Sequence, residues 1–423
     1  MKRLISLMII SLQLIVFSQF AGGSGTEDDP WLIRTASNLD SIRYFCGPDH
    51  SDKYFKQVYP IPLWSYGDSL WTPIGTDSLP FMGSFGVGSN GYDIWGMNII
   101  DSLSNNLGLF GVIENATLMN IQLTGAHIIG QGYCGALVGK STNSKISKCV
   151  VTDYSISATG NNIGGLIGKS ENDSISICCL GEYNYIDSRI SGLDNIGGLI
   201  GFCSSTIDNC FSWAPVVGNS YVGGFIGNST NTDILNCYSS GDVEGIGSIG
   251  GFIGTGDSTS VLHSYWMIRD DLTDGFAEGR TSDEMGTEYG DNDSTYVGWD
   301  FENIWKRHYV NLWYSGPPIF YIGNIVGIEN QKTALPLSAE LAQNYPNPFN
   351  PTTTIRFNLN DQCNINLSIF NSKGELIQTL FKGIKDKGNH SINFDASNLN
   401  SGVYFYNLTS DDKTLTKKML YLR

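Results

Sequence analysis

From residue 108 to 266 the apolar positions fall in short β-branched runs separated by Gly, Asn, Ser and Asp, the signature of strands joined by turns. Nothing in that stretch repeats with the 3.6-residue period of an amphipathic helix. The runs themselves recur. Aligning "GLFG", "CGALVG", "GGLIG", "GGLIG", "GGFIG" and "GGFIG" on their last glycine gives Gly111, Gly139, Gly168, Gly201, Gly227 and Gly254, at spacings of 28, 29, 33, 26 and 27 residues. Nine or ten residues later stand Ile121, Cys149, Cys178, Cys210, Cys237 and Ser264, each preceded at three residues by an aliphatic: Leu118, Ile146, Ile175, Ile207, Ile234 and Val261. A period of this length means stacked units. Three short strands per unit predict one coil of a parallel β-helix, in which equivalent side chains form internal ladders about 4.8 Å apart. The repeated glycines are expected at corners, where the backbone needs φ > 0 or close approach.

Two of these runs, "CGALVGKS" and "NIGGLIGKS", end in Gly-Lys-Ser. A phosphate-binding loop needs four residues between its first glycine and that triplet. Cys134 and Ile163 occupy the required glycine positions, and the other repeats lack Lys-Ser. The glycines are therefore read as architecture, with Lys140 and Lys169 as solvated residues on adjacent coils.

Beyond residue 344 the pattern changes to period two in several short strands: Ile355, Phe357, Leu359; Ile365, Leu367, Ile369; Ile392, Phe394; Tyr404, Tyr406, Leu408. That alternation predicts a small antiparallel sandwich. At the other end, Met1-Lys2-Arg3 followed by an apolar run over 4–17 and the small Ser18 reads as a secretory signal peptide. The run is shorter than the ~20 residues that span a bilayer, so no transmembrane segment is expected in the mature protein.

With 50 Gly in 423 residues, 12% aromatic and only 16% charged, the composition is the reverse of a disordered chain. The formal charge of −16 is uneven: nine Lys/Arg against six Asp/Glu follow Tyr345, and Lys2 and Arg3 lie in the leader, so residues 19–344 carry −21. Such a body argues against nucleic acid or anionic lipid as a partner. Stacked cysteines point the same way from neighbouring coils, which gives neither the dihedral nor the Cβ approach of a disulfide. Cys149, Cys178, Cys210 and Cys237 are therefore expected as buried free thiols. No C-x-x-C, H-E-x-x-H or G-x-S-x-G occurs, and no metal, cofactor or catalytic residue is assigned. Asp173, Asp208 and Asp233 lie in successive coils at different offsets from the ladder cysteine and do not make a converging acid pair.

The "GGLIG…NC" units resemble GLUG-motif repeats of secreted bacterial surface proteins. "GSGTEDDPWLIRTASNLDSI" (23–42), "WTPIG" (71–75) and "GWDFENIWKR" (298–307) resemble the entry and exit segments of such proteins. The tail resembles the type A C-terminal sorting domain of type IX (Por) secretion, as found in Bacteroidetes-like bacteria. Its matching features are Pro346, Asn347, Pro348, Phe349 and Asn350, then Gly374, Gly402, Lys417 and Lys418. The resemblance implies the type IX secretion machinery as partner, with release or surface attachment as the outcome.

These readings give an all-β chain: a right-handed parallel β-helix followed by a small Ig-like antiparallel β-sandwich. The expected segments are a signal peptide (1–18), an N-terminal cap and first coil (19–107), about six coils (108–266), a C-terminal cap (267–321), a linker (322–344) and the sorting domain (345–423). The expected role is a non-enzymatic exported rod for adhesion or ligand binding, with a surface glycan or environmental polysaccharide as ligand. Tyr183, Tyr185 and Trp213 are its candidate aromatic platform. A polysaccharide lyase or glycoside hydrolase on the same scaffold is the alternative.

Overall fold

The computed structural model describes residues 19–64, 70–181, 188–269, 272–286, 295, 296, 298–301, 303–311, 314–320, 339–341, 344, 346–359, 363–371, 376–410 and 413–422. The signal-peptide segment, Tyr183, Tyr185, Gly374 and most of the expected linker lie outside them. The chain divides into two compact units, Met1–Glu329 and Asn330–Arg423.

The first unit is a parallel β-solenoid of about eight turns, built on three faces. On the first face Trp31, Phe55, Phe85, Leu118, Ile146, Ile175, Ile207, Ile234 and Val261 are successive in-register partners. The predicted aliphatic ladder is thus a single column, and Trp31, Phe55 and Phe85 extend it upstream, so stacking begins well before residue 108. A second column, Ile99, Ile128, Ile156, Ile190, Val216 and Val243, lines the second face. Leu107, Cys134, Ile163, Ile196, Val222 and Ile249 line the third. Every column but its last member is buried to within a few per cent. Each buried Ile or Phe contributes about 1.5–3 kcal/mol over leaving it exposed, which is why a chain with so few charges is committed to stacking.

Of the two reasons expected for the repeat glycines, the corners show the second. None of the repeat glycines has φ > 0. They are required by close approach: a Cβ on Gly201 would lie 2.4 Å from the Ile163 nitrogen and 2.5 Å from the Asn162 carbonyl carbon. The left-handed positions belong to other residues. Asn120, Lys148, Ile177, Asn209, Asn236 and His263 hold φ between 46° and 54°, each immediately before the ladder residue that turns inward. Asn106, Tyr133, Asn162, Asn195 and Tyr221 do the same before the third face. Asn is the side chain that most readily tolerates this conformation.

The ladder thiols have a defined role at their corner. The Cys178 backbone N–H donates to Cys210 Sγ at 3.3 Å, and that of Cys210 to Cys237 Sγ at 3.3 Å. Each thiol donates in turn to the carbonyl two residues before it. Ser264 takes over in the last coil, accepting from the Cys237 N–H at 3.0 Å and donating to the Leu262 carbonyl at 2.9 Å. Cys46, Cys134, Cys149, Cys178, Cys179, Cys203, Cys210 and Cys237 are all free thiols. Burial pushes the thiols of Cys149, Cys179 and Cys210 well above their ordinary range.

Both ends of the stack are closed. At the start Phe20, Trp31, Phe45 and Phe55 pack with ring centroids 4.5–6.2 Å apart. At the far end the Phe252 and Ile253 N–H groups have no following coil. One carboxylate oxygen of Asp274 accepts both, at 2.7 and 2.8 Å, standing where the next coil's carbonyl would be; in the preceding coil Phe225 and Ile226 donate to the Phe252 carbonyl. The exit segment does more than cap. Val150, Cys179, Phe211, Tyr238 and Tyr265 form an outward column on the second face, and Met285, Tyr296, Trp299 and Trp305 bury it. Trp305 is anchored by its indole N–H to Asn209 Oδ1 at 2.8 Å.

The second unit has two antiparallel sheets, one of three strands and one of four, around a shared apolar core. Ala339–Leu341, placed in the linker by the sequence reading, pairs with Thr352–Leu359. Leu341 joins the core, which is why this stretch belongs to the folded unit.

Candidate functional site

The residues read from the sequence as a sorting motif have structural roles. Phe349 is 2% exposed and packs on Tyr421 with ring centroids 5.2 Å apart. Its backbone N–H donates to the Leu420 carbonyl, and Leu422 donates back to its carbonyl. The Asn347 side-chain oxygen accepts from the Leu420 N–H at 2.8 Å. Together they clasp the strand Lys413–Tyr421, which pairs on its other side with Gly402–Ser410. The Pro346 carbonyl accepts from Asn344 Nδ2 at 3.0 Å and from Thr353 Oγ1 at 2.8 Å. Lys417 and Lys418 are exposed on the clasped strand, and Asn350 is exposed beside Pro348 in the turn that carries the motif. Gly402 opens the strand that carries Tyr404, Tyr406 and Leu408 into the core.

On the solenoid, Trp213 is half-buried. It packs against Phe211 at 5.3 Å and donates its indole N–H to the Tyr238 hydroxyl at 2.8 Å. Lys140 and Lys169 are adjacent-coil partners, as read from the sequence; they pair with Asp77 and Glu171, each at 3.0 Å. Asp173, Asp208 and Asp233 are not gathered: Asp233 pairs with Thr206, and Asp208 with Ser176 and Leu235. Among the described residues no group of three or more His, Cys, Asp or Glu is placed to hold a metal ion.

Two features were not legible beforehand. Asp93 accepts a hydrogen bond from Thr124 Oγ1 at 2.9 Å, and Thr124 meets Thr152 at 3.0 Å. Burial, reinforced by the nearby Asp153 carboxylate, pushes the Asp93 carboxyl up to about 6 against the lowering effect of Thr124. The second is an open groove of about 550 Å³ across successive coils at one corner of the first face, with Asn115, Asn143, Asn172 and Asn231 along it. Each of these lies four residues after a repeat glycine, a signal that was present in the alignment. Asp173 forms part of its floor and is 3% exposed. It accepts from the Ser144 N–H at 2.7 Å and from Ser170 Oγ at 2.5 Å, and burial raises its carboxyl above the usual range.

Comparison with known proteins fits this geometry. Residues 343–421 match the family described as the secretion system C-terminal sorting domain, and residues 218–244 match the GLUG motif. A protein of Evansella cellulosilytica, named as a Gly-rich membrane protein, is 43% identical over 189 residues, covering 44% of this chain and 21% of its own length. The chain thus spans about a fifth of that relative. No solved structure matches. No helix among the described residues is long and apolar enough to cross a membrane. The chain carries a GLUG motif within a β-solenoid, and behind it a secretion system C-terminal sorting domain that marks it for type IX export.

Proposed function

We propose that this protein is an exported β-solenoid rod that acts outside the cell by binding, with a glycan as ligand, and performs no chemistry of its own. The observation that carries the reading is that a sorting-domain match and an end-capped solenoid occur in one chain. A stack of successive in-register coils offers a long surface, the feature that solenoids use for recognition. Trp213, with Tyr183 and Tyr185, is proposed as an aromatic contact on that surface.

The alternative, a polysaccharide-cleaving enzyme, is favoured by one observation: Asp93, with its carboxyl raised to about 6 beside Asp153, has the property of a general acid. One experiment separates the readings. The full chain is applied to a glycan array, and the glycans it retains are then assayed for release of reducing ends. Binding without release is expected. Release that disappears in Asp93→Asn would establish the enzyme instead.

A further inference from the structure

The groove at the first-face corner owes its shape to a missing residue. Gly111, Gly139, Gly168 and Gly227 are each followed at four residues by an Asn with φ between 48° and 55°. The coil from Gly201 to Cys210 is one residue shorter there. Glu171 pairs with Ser204, but Ser174 pairs with Thr206, so Asn172 has no counterpart and the strand Ile200–Asp208 runs straight through. A notch opens between the Asn172 and Asn231 levels, floored by Ser205 and Asp173.

The Asn side chains there are exposed and make no hydrogen bond among the described residues. This differs from the Asn column at the third-face corner, where Asn195 bonds Asn162 at 2.9 Å and Asn228 bonds Asn195 at 3.2 Å. Nor does the left-handed backbone alone demand Asn. Elsewhere in this molecule the same conformation is held by Lys148, Ile177, His263, Tyr133 and Tyr221. At the groove corner, every left-handed position up to Asn231 is a carboxamide with both its donor and its acceptor unused. On the adjoining face the in-register row is Thr117, Lys145, Ser174 and Thr206, three hydroxyls with one ammonium between the first two.

We propose that this corner binds a linear, neutral polysaccharide lying along the solenoid axis. Carboxamides and hydroxyls are donors and acceptors at once, which matches the paired hydroxyls of a sugar. They recur at the coil spacing of about 4.8 Å, close to the advance of one pyranose unit in an extended chain. Lys145 is the one cation in the lining, and Asp173 is buried beneath it, so a phosphate or uronate polymer finds no matching charge on an acidic body. Ala116 is the sole apolar side chain of the lining, so an apolar peptide finds no pocket. The inference rests on the proposed binding function and assigns it a place distinct from Trp213.

The test uses the full chain with cellohexaose, xylohexaose and mannohexaose as probes, alongside a broad glycan array. Glycine suits a left-handed position better than any other residue, so the triple variant Asn115→Gly, Asn143→Gly, Asn172→Gly removes the amides and keeps the fold. It is expected to melt as the parent does and to bind the preferred hexaose at least tenfold more weakly. Insertion of one Asn after Ser204 fills the notch and is expected to have the same effect. Parent-like binding by the folded triple variant overturns the groove while leaving surface binding intact. Failure of the parent to bind any hexaose also overturns it, and the array then reports separately whether the protein binds glycans at all.

Discussion

At the Cys237 level a thiol does the work of a hydroxyl. Cys237 Sγ receives the Cys210 N–H, and Ser264 repeats the arrangement one coil later with Oγ. Replacing Cys237 by Ser therefore retains the acceptor. Replacing it by Ala leaves the Cys210 N–H buried without a partner, a loss of about 1–3 kcal/mol. Denaturant titration of the two variants is expected to separate them by that amount, with Ser the closer to the parent. Equal destabilisation would mean that packing volume alone is selected at this position. The ladder itself was legible from the spacing of Cys149, Cys178, Cys210 and Cys237, because side chains at one repeat position must stack. Their hydrogen-bond role was not, since it depends on the left-handed residue before each, and Lys148 and Ile177 carry no sequence sign of that conformation.

Asp274 governs the last coil. Its carboxylate stands in for a coil that does not exist, so its removal orphans the Phe252 and Ile253 N–H groups at an open edge. In a stack where each coil touches only its neighbours, such damage stays local. Asp274→Ala is expected to speed amide hydrogen exchange over Ile249–Asp257 and leave the Ile146 and Ile175 levels protected. Uniform acceleration along the rod would contradict the nearest-neighbour picture. The strands over 108–266 were legible because β-branched runs and turn residues alternate cleanly there. Asp274 was not, because it lies outside the repeat and its value comes from reaching back to residues more than twenty positions earlier. The groove failed for a related reason: its shape is set by a single residue missing between Gly201 and Cys210, which an alignment on glycines registers only as nine residues instead of ten.

The whole molecule joins a solenoid to a sandwich of opposite charge sign, and the residues read as a sorting motif are built into the sandwich. Phe349 and Asn347 clasp the final strand, which fixes Lys417 and Lys418 on a folded edge. The tail was legible because its motifs occur in order, whereas its start was not: the strand Ala339–Leu341 is too short to show alternation. Division at Glu329, where the structure separates the two units, gives the most direct test of the account. In a type IX-competent host, the chain truncated after Glu329 is expected to remain folded in the periplasm, and residues 330–423 fused behind a signal peptide and a neutral reporter are expected to carry that reporter to the surface or the medium. Normal export of the truncated chain, or retention of the reporter in the periplasm, would contradict the account.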